Sequence, residues 1–125
     1  MPGLSPQETV HEVHVAINRG DHSAVMACFD EDAVFLSPGG DSEARGTEAV
    51  AAAMAELLEM KPELHAELAR SVMAADVALV VVEWTLEAAS ADGSSVFATG
   101  KTADVLRRGS DARWRYVIDN PSGVN

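Results

Sequence analysis

Four histidines and one cysteine stand out first among the groups of this chain that could do chemistry. His11 and His14 are three residues apart, a spacing that puts two side chains on one helix face. A metal would need a further ligand at a recognised spacing, and no histidine or carboxylate follows at one. The pair therefore reads as solvated helix surface, with no metal site expected. His22 falls in a capping turn and shows no role. His65 opens a strand and is a minor candidate for ligand contact. Cys28 is the sole cysteine, so an internal disulfide is excluded. It lies beside Phe29 in apolar surroundings and reads as a buried structural thiol. No phosphate loop, dinucleotide fingerprint or Ser-His-Asp arrangement is present.

Elements must position any such group, and 125 residues are enough for one domain spanning 1–125. The chain carries a net charge of −11, which argues against nucleic acid and against an anionic membrane surface. Residues 101–125 carry a small basic excess, with Lys101, Arg107, Arg108, Arg113 and Arg115 reading as a solvated sheet face. The N-terminus lacks a signal-peptide pattern, and the longest apolar run, Val77 to Val82, is too short to span a bilayer, so a cytoplasmic location is expected.

Ser5-Pro6-Gln7-Glu8 is a helix start, followed by Val10, Val13 and Ile17 at helical spacing, and Gly20 ends the helix. Asp21 caps a short second helix to about Phe29. Ala33–Leu36 reads as a strand and Ser37–Ser42 as a loop. Thr47 is expected to cap a third helix that Pro62 stops, with Val50, Met54, Leu57 and Leu58 on one side. The period then changes. Residues 64–74, 77–88, 96–108 and 114–120 read as four strands, with turns at Asp92-Gly93 and Gly109-Ser110-Asp111. Helices first and a meander after is an α+β pattern. A strongly curved antiparallel sheet over three N-terminal helices would leave a cone whose open end is a pocket.

Asn18-Arg19-Gly20-Asp21, Phe29-Asp30-Glu31-Asp32-Ala33-Val34 and Ala44-Arg45-Gly46-Thr47-Glu48-Ala49-Val50 carry a resemblance. Asp76-Val77-Ala78-Leu79 and Arg113-Trp114-Arg115-Tyr116 continue it. In order and spacing the chain resembles the nuclear transport factor 2-like (NTF2-like) superfamily, in its SnoaL-like and ketosteroid-isomerase-like branch. The resemblance covers almost the whole chain. It implies a cone-shaped α+β barrel, a homodimer and an internal ligand pocket, with no cofactor. Ketosteroid isomerases use a base Asp before the proline of the strand-one loop, a Tyr on the first helix and a protonated Asp on a late strand. Those positions are Ser37, Val13 and Asp104 here. Base and Tyr are absent, and standard steroid isomerase chemistry is disfavoured.

The same alignment sets strand faces. With Asp104 inward, Gly100, Thr102 and Leu106 follow. Val117 and Asp119 are expected inward, with Trp114 and Tyr116 outward. Leu79, Val81, Glu83 and Thr85 are expected inward and Trp84 outward, with Val81 opposite Asp104. The implied site is a carboxylate cluster of Asp104, Asp119 and Glu83, lined by Phe35, Ser37, Met54, Leu58, Thr102 and Val117. Asp104 or Asp119 would be the acid–base residue, unless Arg45, Arg107 or Arg115 neutralises the cluster. Outward aromatics would form a homodimer interface on the convex sheet face. Two functions stay open. One is an isomerase, cyclase or hydratase acting on a small polyketide- or steroid-like molecule. The other is a non-catalytic ligand-binding or dimerisation domain, which the loss of a base at Ser37 favours.

Overall fold

A computed structural model describes residues 3–37, 41–90 and 92–123. Residues 38–40 of the expected loop lie outside them. Ser5 starts α1 (Pro6–Arg19): its hydroxyl accepts the Glu8 N–H at 3.1 Å, and Gly20 closes the helix at φ 69°. Asp21 caps α2 (His22–Ala27) by accepting the Ala24 N–H at 3.1 Å. That helix ends short of Phe29, because Phe29 already opens β1 (Phe29–Leu36). A short β2 (Glu43–Arg45) follows, and α3 (Gly46–Glu59) starts directly after it. Thr47 therefore sits inside the first turn and is not the cap. As in the sequence reading, two helices precede the first strand and the third follows it.

The second half forms β3 (Glu63–Ala74), β4 (Val77–Ala89), β5 (Ser95–Lys101), β6 (Asp104–Arg108) and β7 (Trp114–Asp119). The seven strands make one sheet in the order β2-β1-β7-β6-β4-β3, with β5 on β4. Two expectations change here. β1 runs parallel to β7, so the sheet is mixed rather than antiparallel. β2 and β3 are its edges, so it stays open rather than closing into a barrel.

The strand expected over 96–108 is two strands. Both lie along one edge of β4, β5 pairing Glu83 with Lys101 and β6 pairing Val80 with Asp104. At the break the Thr102 N–H donates to the Val82 carbonyl, and the Val82 N–H donates to the Thr102 hydroxyl, both at 2.9 Å. A side-chain oxygen thus replaces one ladder acceptor.

Register decides which side chains face the helices. Val80, not Val81, lies opposite Asp104. A slip of one residue flips every side chain of a strand. Ala78, Val80, Val82, Trp84 and Leu86 therefore face inward on β4, while Leu79, Val81, Glu83 and Thr85 face the other way. On β7 the pairing jumps from Val105 with Ile118 to Leu106 with Tyr116, so Val117 is an extra, bulged residue. The bulge lets Tyr116 and Asp119 share a face although they are three apart. Trp114 and Tyr116 are buried in the core, contrary to the outward placement expected of them.

That core joins Val10, Val13 and Ile17 of α1 and Val50 and Met54 of α3 to Phe29, Ala33, Val80, Val82, Leu106, Trp114 and Tyr116. The Thr9 hydroxyl donates to the Trp114 carbonyl at 2.8 Å and ties α1 to β7. Asn18 ties its other end to β3, donating to the Leu64 carbonyl at 2.9 Å and accepting the Leu64 N–H at 2.6 Å. On the opposite face an apolar row crosses five strands in register: Val72, Leu79, Val105, Ile118 and Val34. Among them Val72, Leu79 and Ile118 remain 44, 43 and 38% exposed.

Candidate active site

Asp104 and Asp119 meet at the junction of β6 and β7. The register that pairs Val105 with Ile118 brings them to neighbouring positions on the inner face, where their carboxyl groups are hydrogen-bonded to each other. Asp104 is only 2% exposed. Its Oδ1 accepts the Asn120 N–H at 2.8 Å, and the Thr102 hydroxyl also bonds its carboxylate. No arginine neutralises the pair. Arg45 pairs with Glu43, Arg107 with Asp30 and Asp32, and Arg115 with Asp111.

Burial dominates the electrostatics. It lifts the Asp104 carboxyl to about 6, against the three hydrogen bonds that favour its ionised form. Asp119 rises well above the usual carboxylate range, through burial first and then the charge of Asp104. Two like charges this close do not both ionise readily. Both shifts act in the same direction, so the pair keeps a proton to higher pH than an ordinary carboxyl does. Tyr116 beside them is pushed well above the ordinary tyrosine value by burial and then by both carboxyls, so its phenol stays protonated.

These groups line an apolar inner cavity of about 130 Å³. Phe35, Met54 and Thr102, expected at the site, line it with Asp104 and Asp119. The other expected residues do not. Leu57 takes the wall position foreseen for Leu58, which packs against the core instead. Val117 is the bulged residue and is absent from the wall. Ser37 is used up in its loop, donating to Asp41 Oδ1 at 2.8 Å and accepting the Ser42 N–H at 3.2 Å. Glu83 faces the other side of the sheet and pairs with Lys101 at 3.4 Å, so it is no part of a carboxylate cluster.

Among the lining residues that escaped the sequence reading, His14, Trp84 and Tyr116 carry polar groups. His14 is four residues beyond Val10 and next to Val13, at the edge of the apolar stripe of α1. That position was a legible sign of burial. It is half-buried rather than solvated, and burial, then His11, lowers it to about 4. Its imidazole is neutral at physiological pH. No hydrogen bond occupies either ring nitrogen among the described residues. Trp84 lies flat on Gly100, where an added Cβ would meet its ring at 2.8 Å, and its Nε1 donates to the Pro121 carbonyl at 2.9 Å.

His14, Leu64 and Trp84 also border a second space, a groove of about 730 Å³ between α1 and the β3–β4–β5 arm. His11, Asn18, His65, Glu67, Glu83, Thr99 and Lys101 line it. Cys28 is buried as expected, its thiol pushed up to about 12, chiefly by desolvation. Among the described residues no cluster of metal-ligating side chains occurs, and no helix is long and apolar enough to cross a membrane.

Comparison with known proteins fits this geometry. The ketosteroid isomerase-like protein of Erwinia carotovora atroseptica superposes with a TM-score of 0.83 at 23% identity, over 95% of this chain and 93% of that one. A Streptomyces avermitilis protein described as a dehydratase of the NTF2-like family gives 0.76 at 17% identity, over 94% and 92%. A Thiobacillus denitrificans protein described as a calcium/calmodulin-dependent protein kinase type II association domain gives 0.79 at 19% identity, over 100% and 98%. These likenesses establish the fold. No curated protein matches the sequence. The model of the SnoaL-like domain matches residues 10–117, and the chain is a member of that family, with the NTF2-like α+β fold.

Proposed function

We propose that this protein is a cofactor-independent acid–base catalyst of isomerase, cyclase or hydratase type. The carrying observation is the Asp104–Asp119 pair, a buried and a half-buried carboxyl side by side at an apolar cavity, and in this reading the two share one proton at neutral pH. As Asp119 gives its proton to a ligand carbonyl oxygen, ionised Asp104 takes one from the adjacent carbon, so one proton and one negative charge stay on the pair; before this step the charge rests on Asp104. The Asn120 N–H and Thr102 hydroxyl hold that charge in place. Tyr116 supplies a second donor, and neutral His14 an acceptor. No oxidant, reductant or metal enters such a step, because only protons move. The test is α-hydrogen exchange of small cyclic ketones in D2O, followed by proton NMR. Acceleration over buffer, lost by a factor of about 100 or more in Asp119→Asn, supports the reading. Equal rates with and without the protein across cyclohexanone, cyclohexenone and their hydroxy derivatives overturn it.

A second reading is favoured by the outer face of the sheet. In the row Val72–Leu79–Val105–Ile118–Val34 three residues, Val72, Leu79 and Ile118, are exposed, and a second copy related by a two-fold axis would cover like with like. In this reading the chain is a homodimer through that face. The fold it shares with an association domain is consistent with assembly. The aromatics once expected there are in the core, so the aliphatic row replaces them as the contact. Analytical ultracentrifugation tests it. A dimer that Leu79→Asp converts to monomer supports it, and a wild-type monomer at 50 μM (about the upper end of the range to examine) refutes it. The buried thiol also suits a reducing, cytoplasmic setting.

A further inference from the structure

The inner cavity and the groove share His14, Leu64 and Trp84 as common wall. Neither space alone suits the polyketide- or steroid-like molecule that the family resemblance implies. An apolar cavity of about 150 Å³ takes up a single benzene ring. The inner cavity, at about 130 Å³, is of that size and has no room for a second fused ring. The groove, at about 730 Å³, falls within the ordinary range of ligand sites.

We infer that the two spaces are chambers of one site, and that its ligand has two parts. The first is an apolar head no larger than one six-membered ring, held against Asp119. The second is an uncharged, hydroxyl-bearing extension that passes between His14 and Trp84 into the groove. The position of the head rests on the acid–base reading of the inner cavity. The rest follows from volume and charge.

The chemistry of the extension follows from the groove wall. Glu83 and Lys101 already pair with each other at 3.4 Å. Glu67 sits directly across from Glu83 on β3. Glu67, Glu83 and Lys101 share the face of the arm opposite Trp84, so the extension gains no ion pair from them, and the net charge of −11 disfavours an anion. The neutral imidazole of His14 offers one donor and one acceptor at the neck. Hydroxyl groups satisfy both.

Isothermal titration calorimetry with four probes tests the inference. Phenol carries the head alone, phenyl β-glucoside adds an uncharged hydroxylated extension, phenyl phosphate adds an anionic one, and 2-naphthol fuses a second ring. The expected order is glucoside at least tenfold tighter than phenol, with phenyl phosphate and 2-naphthol at least tenfold weaker than phenol. Trp84→Leu removes the partition and is expected to close the gap between naphthol and phenol. The wild-type order stands without that variant should it fold poorly. Naphthol binding more tightly than phenol overturns the head size. Phenyl phosphate matching the glucoside overturns the uncharged extension. No probe binding below 10 mM (about the limit of the titration) overturns the site itself. None of these readings requires turnover, so failure of the catalytic proposal, seen as absent hydrogen exchange, is a separate result.

Discussion

Replacing Asp104 by Asn gives a pH signature whose sign and size follow from the buried pair. The Asp104 carboxyl titrates near 6 when folded and at 3.8 when unburied. The folded chain therefore holds this proton more tightly than the unfolded chain. Its contribution to stability is greatest below the unfolded value and is lost as pH rises through the folded one. Each unit of separation is worth about 1.4 kcal/mol, so the loss is on the order of 3 kcal/mol, of which roughly 2 falls between pH 4.5 and 7.5. Asp119 adds a loss of the same sign reaching to higher pH. The lowered carboxyls of Asp30 and Asp111 act in the opposite direction, but below that window. His14, lowered to about 4, acts in the opposite direction inside it by a similar amount. His14 is common to wild type and variant and cancels in their difference.

Asn at position 104 does not titrate. It keeps an oxygen for the Asn120 N–H but can set an amide donor against the Thr102 hydroxyl, at a cost of about 1 kcal/mol. The variant is therefore expected to be less stable than wild type near pH 4.5 and more stable near pH 7.5. Asp119 also loses its charged neighbour, which adds to the crossing. Urea unfolding at four pH values and constant ionic strength measures it. Parallel curves for wild type and variant would show that the pair does not share a proton in the folded protein.

Further expectations concern single contacts. Gly100→Ala puts a methyl 2.8 Å from the Trp84 ring, and such overpacking is expected to cost about 1–3 kcal/mol and to shift tryptophan emission. Leu106→Ala empties a site with 0% exposure and is expected to cost about 2–5 kcal/mol in the same unfolding assay. Asn18→Ala removes both hydrogen bonds to Leu64, and is expected to speed amide exchange at residues 64–66 selectively. Arg108→Ala breaks an exposed pair with Asp76 and the contact over Trp114, and is expected to cost no more than about 1 kcal/mol.

The caps were legible because their chemistry is local. Ser5, Gly20 and Asp21 act through neighbours three or four residues away, and each stands where the sequence puts it. Asp104, Asp119, Phe35, Met54 and Thr102 were also placed correctly on the inner face. Partner choice was not legible. A one-residue difference in the β4 register moved Glu83 out and Trp84 in, and that register depends on Thr102 lending a hydroxyl to the ladder. The Val117 bulge likewise has no signature, because nothing in Tyr116-Val117-Ile118 differs from a flat strand. The parallel pairing of β1 with β7 joins segments too far apart in sequence for periodicity to reveal.

The break at Thr102 also divides the sheet mechanically. Beyond it, β3, β4 and β5 form an arm one side of which no strand of the main sheet supports. Its hydrogen-bonded tie to α1 is the Asn18–Leu64 clasp at the far end, and the groove lies between. Two further bonds hold the arm, from the Ala89 N–H to the Met60 carbonyl after α3 and from Trp84 Nε1 to the Pro121 carbonyl after β7. The wall of the groove is thus anchored at three separate points of the chain, through residues other than the acid pair.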